Sequence, residues 1–353
     1  MAYTDIDNPL AFFNSNLHTG VDGVQTISGV GFSADLTWFK NRSGSAQSHG
    51  LFDTVRGVYW MLSPNNSNGQ AANDSLSAWN SDGFVIGNAG SSGDAFSNLT
   101  NATYVSWNWK TGTAFSNDAS ATSVGSIDSA GSVNTTAGFS IIQYTGTGTA
   151  GTIAHGLGAV PAWYIVKKHN AAEHWQVYHQ NNTSAPGTDY LQLSTADATT
   201  DAATRWNDTA PTSTVFSVNT HDSVNVSGGT YIAYCWTGKQ GYSKFGTYEG
   251  NGIDDGPFIY TGFAPAFVMV KCFDQGEHWN IYDNKRGSSV TLSPNLNNVD
   301  RAMDDSPAME LLSNGFKIRT SDANLSNAAD GFIYMAFAAE PFVTSKGVPA
   351  TAK

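Results

Sequence analysis

The sequence has little charge, little basic character and no long apolar run. Only 13% of its 353 residues are charged, and 17 basic against 29 acidic residues leave a net charge of −12. Without a basic patch to displace counterions from phosphates, nucleic acid is excluded as an expected partner. No run reaches the roughly 18 apolar residues of a membrane-spanning helix, and the first residues lack the pattern of an export signal. We therefore expect neither membrane insertion nor a signal peptide.

Cysteine is also scarce, because the chain contains only Cys235 and Cys272. Two cysteines exclude a disulfide scaffold. Both lie in apolar runs (YIAYCW and MVKCF), which is typical of free buried thiols, and one bridge between them is the alternative. Long stretches with helical periodicity are absent too, whereas runs rich in Val, Ile, Thr and aromatics alternate with Gly/Asn/Asp/Ser clusters. This pattern predicts an all-β protein.

One ordered set of motifs occurs three times along the chain. A strand ending in lysine reads GFSADLTWFK, GAVPAWYIVK and GFAPAFVMVK, and a later closing strand reads NATYVSWNWK, GTYIAYCWTG and DGFIYMAFAA. The repeat predicts three tandem β-sandwich modules of jelly-roll or concanavalin-A-lectin-like type at 1–112, 137–240 and 241–353. Segment 113–136 is rich in Ser, Ala and Gly, so we expect a linker that is flexible or extended over the surface. A string of modules and a pseudo-threefold disc both remain open.

Several polar residues recur within the repeat, and for each a structural role is favoured over a catalytic one. An Asp-x-x-Arg-Gly turn predicts two ion pairs, Asp53 with Arg56 and Asp283 with Arg286, and glycines 57 and 287 permit positive φ after them. The motif lysines are expected at strand edges, where charge discourages stray pairing: Lys40, Lys167 and Lys271. Histidines also recur, at His49, His174 and His278. No third ligand or nucleophile accompanies them, so we expect no enzyme and no cofactor.

Two further groups of residues are candidates for binding. Carboxylates that calcium would prefer occur in two loops, at Asp254, Asp255, Asp300, Asp304 and Asp305, although neither loop matches a calcium-binding pattern. Three tryptophans lie outside the best-matched strands, and they are the candidates for contact with a glycan: Trp60, Trp79 and Trp206.

The motifs resemble those of a family of uncharacterised virion proteins from tailed bacteriophages of the marine and cyanobacterial type. Modules of that family read Gly-Phe-x-Pro-Asp-x-x-Trp-x-Lys, then Asp-x-x-Arg-Gly, then Tyr-Val-x-Trp-x-Trp. The first module matches best, with GFSADLTWFK, HGLFDTVRG and TYVSWNWK in order and Ala34 in place of proline. The second lacks the Asp-x-x-Arg-Gly turn, and the third lacks the paired tryptophans.

This resemblance implies a virion structural protein exposed on the particle surface, where it aids attachment to the host. Its partners would be capsid or tail proteins, as a head decoration or knob or as a compact tail-attached protein. The alternative is a lectin-like tail fibre or receptor-binding protein that binds a host-surface glycan. Heptads and shaft repeats are absent, which disfavours a fibre. A glycoside hydrolase would need two carboxylates across a cleft, and no paired acidic motif recurs.

Overall fold

The computed structural model describes residues 4–87, 97–302 and 307–349. Nearly all regular structure in these ranges is antiparallel β-sheet, which confirms the all-β prediction. The helices there are short: a 3-10 turn at Pro9–Ala11, α1 at Ala119–Thr122, α2 at Asp222–Asn225 and α3 at Ala323–Ser326. We use the word module for one large sheet together with the smaller sheet that covers it.

The first module has a large sheet of order β1-β9-β3-β4, a small sheet of order β2-β8-β7 and a two-stranded ribbon, β5-β6. Its strands are β1 (Phe13–Thr19), β2 (Gln25–Ser28), β3 (Leu36–Asn41), β4 (Gly50–Asp53), β5 (Trp60–Met61), β6 (Ala71–Ala72), β7 (Leu76–Asn80), β8 (Gly83–Ile86) and β9 (Thr103–Trp109).

The second module has a large sheet of order β10-β11-β12-β19-β14-β15-β16-β17 and a small sheet, β13-β18. Its strands are β10 (Thr113–Asn117), β11 (Ser129–Asn134), β12 (Phe139–Thr145), β13 (Gly151–Ala154), β14 (Trp163–Lys168), β15 (Gln176–His179), β16 (Asp189–Gln192), β17 (Thr200–Asp201), β18 (Val215–Val218) and β19 (Thr230–Trp236).

The third module has a large sheet of order β20-β28-β22-β23-β24-β25 and a small sheet, β21-β27-β26. Its strands are β20 (Ser243–Glu249), β21 (Phe258–Tyr260), β22 (Phe263–Cys272), β23 (Asn280–Asp283), β24 (Gly287–Leu292), β25 (Arg301–Ala302), β26 (Met309–Leu312), β27 (Gly315–Ile318) and β28 (Gly331–Pro341). Each large sheet thus contains the same four-strand order, and the β-sandwich arrangement agrees with the predicted fold class. The jelly-roll or lectin-like type stays a prediction.

Both faces of the central strands in each large sheet are buried, and the two faces contact different neighbours. In β3, Leu36 and Trp38 point to one side while Phe39 points to the other, as the alternation of a strand requires. The outward residues pack against the small sheet and form a separate core in each module. The inward residues of all three large sheets meet in one shared core, which contains tryptophans 38, 107, 109, 163, 175, 236 and 279.

The shared core is closed. A residual void of about 10 Å³ lies between Leu36, Ile165 and Met269, one residue from each module. Its lining is apolar, and a space of this size holds at most one water molecule. The centre of the molecule is therefore packing and not a binding site.

Segment 113–136 differs from the linker that its composition predicts. Strands β10 and β11 pair with each other, and β11 pairs with β12, so the segment extends the sheet of the second module. The expectation of a flexible linker is wrong because a strand that joins an existing edge is held mainly by backbone hydrogen bonds. Such a strand needs few apolar side chains. Cys235 and Cys272 are free buried thiols, as their apolar sequence context predicts, and they form no disulfide with each other.

Candidate functional site

The modules meet along three seams, named A (modules one and two), B (two and three) and C (one and three). One backbone hydrogen bond repeats at each: Gln70 N–H to His169 O at 2.7 Å, Thr199 N–H to Phe273 O at 2.9 Å and Asp300 N–H to Arg42 O at 3.1 Å. Every acceptor lies two residues after the motif lysine. The modules therefore close into a pseudo-threefold ring and do not form a string.

The three motif lysines also bridge the seams. Their ammonium groups donate to carbonyls of the next module, from Lys40 to Asn297 at 3.0 Å, from Lys167 to Ser67 at 2.9 Å and from Lys271 to Ala196 at 3.1 Å. All three residues are fully buried on interior strands, so the prediction of edge positions is wrong. Burial lowers the pKa of Lys40 and Lys167 to about 7 and that of Lys271 to about 8.

The histidine motif is shifted by one position in the first module. Strand pairing makes Asp53 equivalent to His179 and Asp283, which aligns His49 with Trp175 and Trp279. Each of these three rings hydrogen-bonds to a carbonyl across a seam, at 3.1 Å from His49 Nε2 to Ser293, 3.1 Å from Trp175 Nε1 to Ser63 and 3.0 Å from Trp279 Nε1 to Gln192. The three histidines that the sequence groups together therefore do not occupy one equivalent place.

The tautomer of His49 follows from its neighbours. Trp38 Nε1 donates to Nδ1 of His49 at 2.9 Å, so the imidazole carries its hydrogen on Nε2 and donates it to the Ser293 carbonyl. Burial lowers the pKa of His49 well below its usual value and keeps the ring neutral. A neutral ring with both nitrogens hydrogen-bonded to the protein is suited to fastening seam C.

Both predicted turn ion pairs are present. The Nε atom of Arg56 lies 2.6 Å from Oδ2 of Asp53, and the Arg286–Asp283 pair has the same distance. All four side chains are at most 1% exposed, and the glycines that follow have φ of 93° and 86°, as expected. Sequence reasoning missed their role between modules. The Tyr234 hydroxyl donates to Asp53 at 2.7 Å across seam A, and Trp107 Nε1 donates to Asp283 at 3.0 Å across seam C.

Seam B has neither the carboxylate nor its donor. His179 takes the place of the aspartate, and strand register makes Met335 equivalent to Trp107 and Tyr234. Methionine cannot donate a hydrogen bond, and burial lowers the pKa of His179 to about 3, so this ring is neutral. The missing turn of module two and the missing tryptophan of module three are therefore two sides of one seam.

Seam C carries an additional ionic contact. Asp300 accepts Arg42 Nε across the seam at 2.8 Å and Arg286 Nη1 at 3.0 Å. The Arg42–Asp300 pair is the one ion pair between modules in residues 4–87, 97–302 and 307–349. The calcium candidate Asp300 is thus paired with two arginines. Seam C joins the first module to the last, which no short connection holds together.

The other calcium candidates give no cluster either. Asp255 forms ion pairs with Lys317 at 2.8 Å and Arg319 at 3.2 Å, and Asp254 accepts the backbone N–H of Ser321. Residues 304 and 305 lie outside the described part of the chain. Across that described part, no three His, Cys, Asp or Glu side chains are grouped as metal ligands.

The three tryptophans proposed for glycan contact occupy different environments. Trp206 is fully buried in the outer core of module two and donates to Asp189 O, so this prediction is wrong. Trp79 is half-buried and donates to Thr37 Oγ1 at 3.2 Å while it packs against the outer core of module one. Trp60 is 40% exposed on β5. Chain position outside a matched strand did not distinguish these cases.

Trp60 belongs to a small exposed platform on the first module. Tyr59 beside it is 59% exposed, and the cross-strand partner of Trp60 is Ala72, which is also exposed. An alanine at that position leaves the neighbouring indole face open. Arg56 Nη1 donates to the Trp60 carbonyl and fixes the strand beneath it at 2.8 Å. We name Tyr59, Trp60, Ala71 and Ala72 the aromatic platform; the adjacent Tyr59 in the sequence was the available signal for it.

The protein is thus all-β, and the three modules of its single chain pack in a ring around a common core. The chain belongs to the family described as Domain of unknown function (DUF7483), whose model matches residues 8–341. This match extends over all three modules. A search of curated proteins finds no match. None of the helices in the described ranges has the length and apolar character to cross a membrane.

Proposed function

We propose that this protein is a bacteriophage virion structural protein exposed on the particle surface, as a head decoration or knob or as a compact tail-attached protein. The sequence motifs resemble such proteins. The observation that carries the proposal is the closed ring of seams, in which the repeated motif residues hold three modules together in one block. A block of this kind suits a component that docks on a particle and faces the medium.

The partners under this proposal are other capsid or tail proteins. The inward faces of the large sheets are used for the shared core, so the small sheets and the loops at both ends of the ring remain for contact with partners. The proposal includes no enzymatic activity and no cofactor. It locates the protein in the virion after synthesis in the host cytoplasm.

Mass spectrometry of purified particles tests this function. We expect the protein in many copies per particle, at a constant ratio to the major capsid protein through successive density-gradient fractions. Antibody labelling in electron microscopy then distinguishes head from tail. Absence of the protein from particles, while it is abundant in the infected-cell lysate, would refute the proposal.

A second candidate function, glycan binding, is favoured by the aromatic platform. An exposed indole face beside alanines is a suitable surface for stacking on a sugar ring. Replacing Trp60 with alanine should reduce binding on a glycan array and reduce adsorption to host cells. The matched control is Val290→Ala, since Val290 pairs with Ala302 as Trp60 pairs with Ala72. Equal binding by both variants and the wild type would remove the platform from the function.

A further inference from the structure

A cavity of about 330 Å³ lies next to seam B. It opens between the turn that joins β19 to β20 and the residues that follow β21. Its lining includes Lys239, Gln240, Lys244, Tyr260, Thr261 and Phe342. The volume is at the lower end of the range for small-ligand sites, which suits one or two sugar rings. None of these residues is part of the aromatic platform or of the seam contacts described above.

Lys244 brings a positive charge to this cavity and forms no ion pair within the described part of the chain. Lys244 Nζ donates to the carbonyl of Tyr260 at 2.6 Å, which uses one of its three hydrogens. Lys239 also lines the cavity, but the Cε atom of its side chain lies beside Gly138, which is not part of the lining. The nearby Asp5 carboxylate accepts the backbone N–H of Gln240 at 3.3 Å.

An exposed aromatic ring forms one side of the cavity. Tyr260 is 53% exposed, and Phe258, two residues earlier on the same face of β21, is 46% exposed. The Lys244 ammonium lies 5.4 Å from the centre of the Tyr260 ring. Gly262 has φ of 85°, and a Cβ atom there would lie 3.5 Å from the Tyr260 hydroxyl. Glycine at 262 therefore gives the turn its conformation and leaves space beside the ring.

We propose that this cavity binds an acidic saccharide, a sugar whose ring stacks on Tyr260 and whose carboxylate is held by Lys244. The apolar face of a sugar matches the aromatic surface, and charge-assisted hydrogen bonds from an ammonium group match the carboxylate. Gln240 supplies a neutral donor and acceptor for hydroxyl groups. The inference rests on the proposed glycan-binding function, but it uses a separate site and names the class of sugar.

Isothermal titration calorimetry with the full chain tests the proposal. The probes are a glucuronic-acid-containing disaccharide, the matching neutral glucose disaccharide and inorganic sulfate. We expect the acidic disaccharide to bind at least about tenfold more tightly than either of the other two. Raised ionic strength should weaken its binding. Equal affinity for the neutral disaccharide, equal affinity for sulfate, or no binding of the acidic disaccharide would each overturn the proposal.

Substitutions test whether binding occurs at this cavity. Lys244→Gln should weaken binding of the acidic disaccharide about tenfold, because it removes one charge-assisted hydrogen bond. The control Lys168→Gln makes the same charge change at the end of β14, in the large sheet of the second module, and should leave binding unchanged. Trp60→Ala should also leave it unchanged. If Trp60→Ala abolishes binding and Lys244→Gln does not, this proposal fails while glycan binding at the platform stands. Particle composition by mass spectrometry is independent of either result.

Discussion

The two buried ion pairs should respond unequally to the same substitution, Asp to Asn. In Asp53→Asn, Arg56 loses its one carboxylate partner and keeps only carbonyl and amide acceptors, of which Trp60 O is the closest at 2.8 Å. In Asp283→Asn, Arg286 keeps the Asp300 carboxylate at 3.0 Å. Asparagine has nearly the shape of aspartate but replaces one acceptor oxygen with an amide donor at both sites, so the difference between the two variants reports whether the arginine keeps another carboxylate.

The expected magnitudes follow from this difference in partners. Leaving a buried arginine without its carboxylate costs roughly 3–5 kcal/mol in free energy of unfolding, and Arg56 is almost fully buried. The cation Lys167 lies close enough to Arg56 to influence its electrostatics, and this repulsion adds to the cost. For Asp283→Asn, Arg286 keeps a carboxylate, so the loss is that of the hydrogen bonds to the replaced oxygen, which accepts Arg286 Nε and Trp107 Nε1, about 1–3 kcal/mol. Asp53→Asn should therefore be the more destabilising by about 2 kcal/mol.

Urea-induced unfolding followed by tryptophan fluorescence measures both variants at pH 7. Differences in midpoint at constant slope give the change in free energy of unfolding. Asp255→Asn is the control, since Asp255 is 76% exposed and should change stability by less than about 0.5 kcal/mol. If Asp53→Asn costs no more than Asp283→Asn, the view that Asp300 supports Arg286 and that nothing comparable supports Arg56 is refuted.

Three further substitutions test the seams and the core. Asp300→Asn should lower the protection of residue 300's own backbone amide against hydrogen exchange, taken relative to the intrinsic rate of that residue, because this amide bonds to Arg42 at seam C. Protection of the Gln70 amide at seam A should not change, and an equal loss at both amides would contradict a local role. Lys167 has a pKa of about 7 in the folded protein against an ordinary 10.5, so the unfolded chain binds more protons between these values and stability rises with pH across that window. In Lys167→Met this rise should be smaller, by up to about 1.4 kcal/mol per pH unit, and an unaltered pH profile of unfolding would count against the buried charge. Trp206→Ala should cost about 3–5 kcal/mol in urea unfolding with glycan binding intact, whereas unaltered stability would contradict its place in the core.

The strands could be predicted because their pattern is local. Alternation along Leu36, Trp38 and Lys40 is visible in ten residues of sequence, and the same is true of the closing strands. The seams could not be predicted in this way. The seam partners named above lie between 74 residues apart, for Thr199 and Phe273, and 258 residues apart, for Arg42 and Asp300. No local pattern in a single sequence states which modules touch.

Residue identity misled the alignment of the histidine motif, and composition misled the prediction for segment 113–136. Matching histidine with histidine set His49 beside His174 and His278, whereas strand register aligns it with two tryptophans. Segment 113–136 looked like a linker because it is rich in Ser, Ala and Gly, whereas the structure pairs it as strands and buries only Ser129 and Val133 of β11. For Trp206, the residue type is visible in the sequence but its burial is not, and a residue outside a repeated strand can still be part of a core.

The presence of all three seams in one polypeptide changes how they can vary. In a true homotrimer, one codon change alters every interface at once, so a weakened contact is repeated three times. Here a change at His179 affects seam B alone, and a second change at Met335 on its partner module can follow without disturbing Asp53 or Asp283. One interface is thus free to drift, and the surface that it carries can acquire a new specificity, while the other two keep the ring assembled.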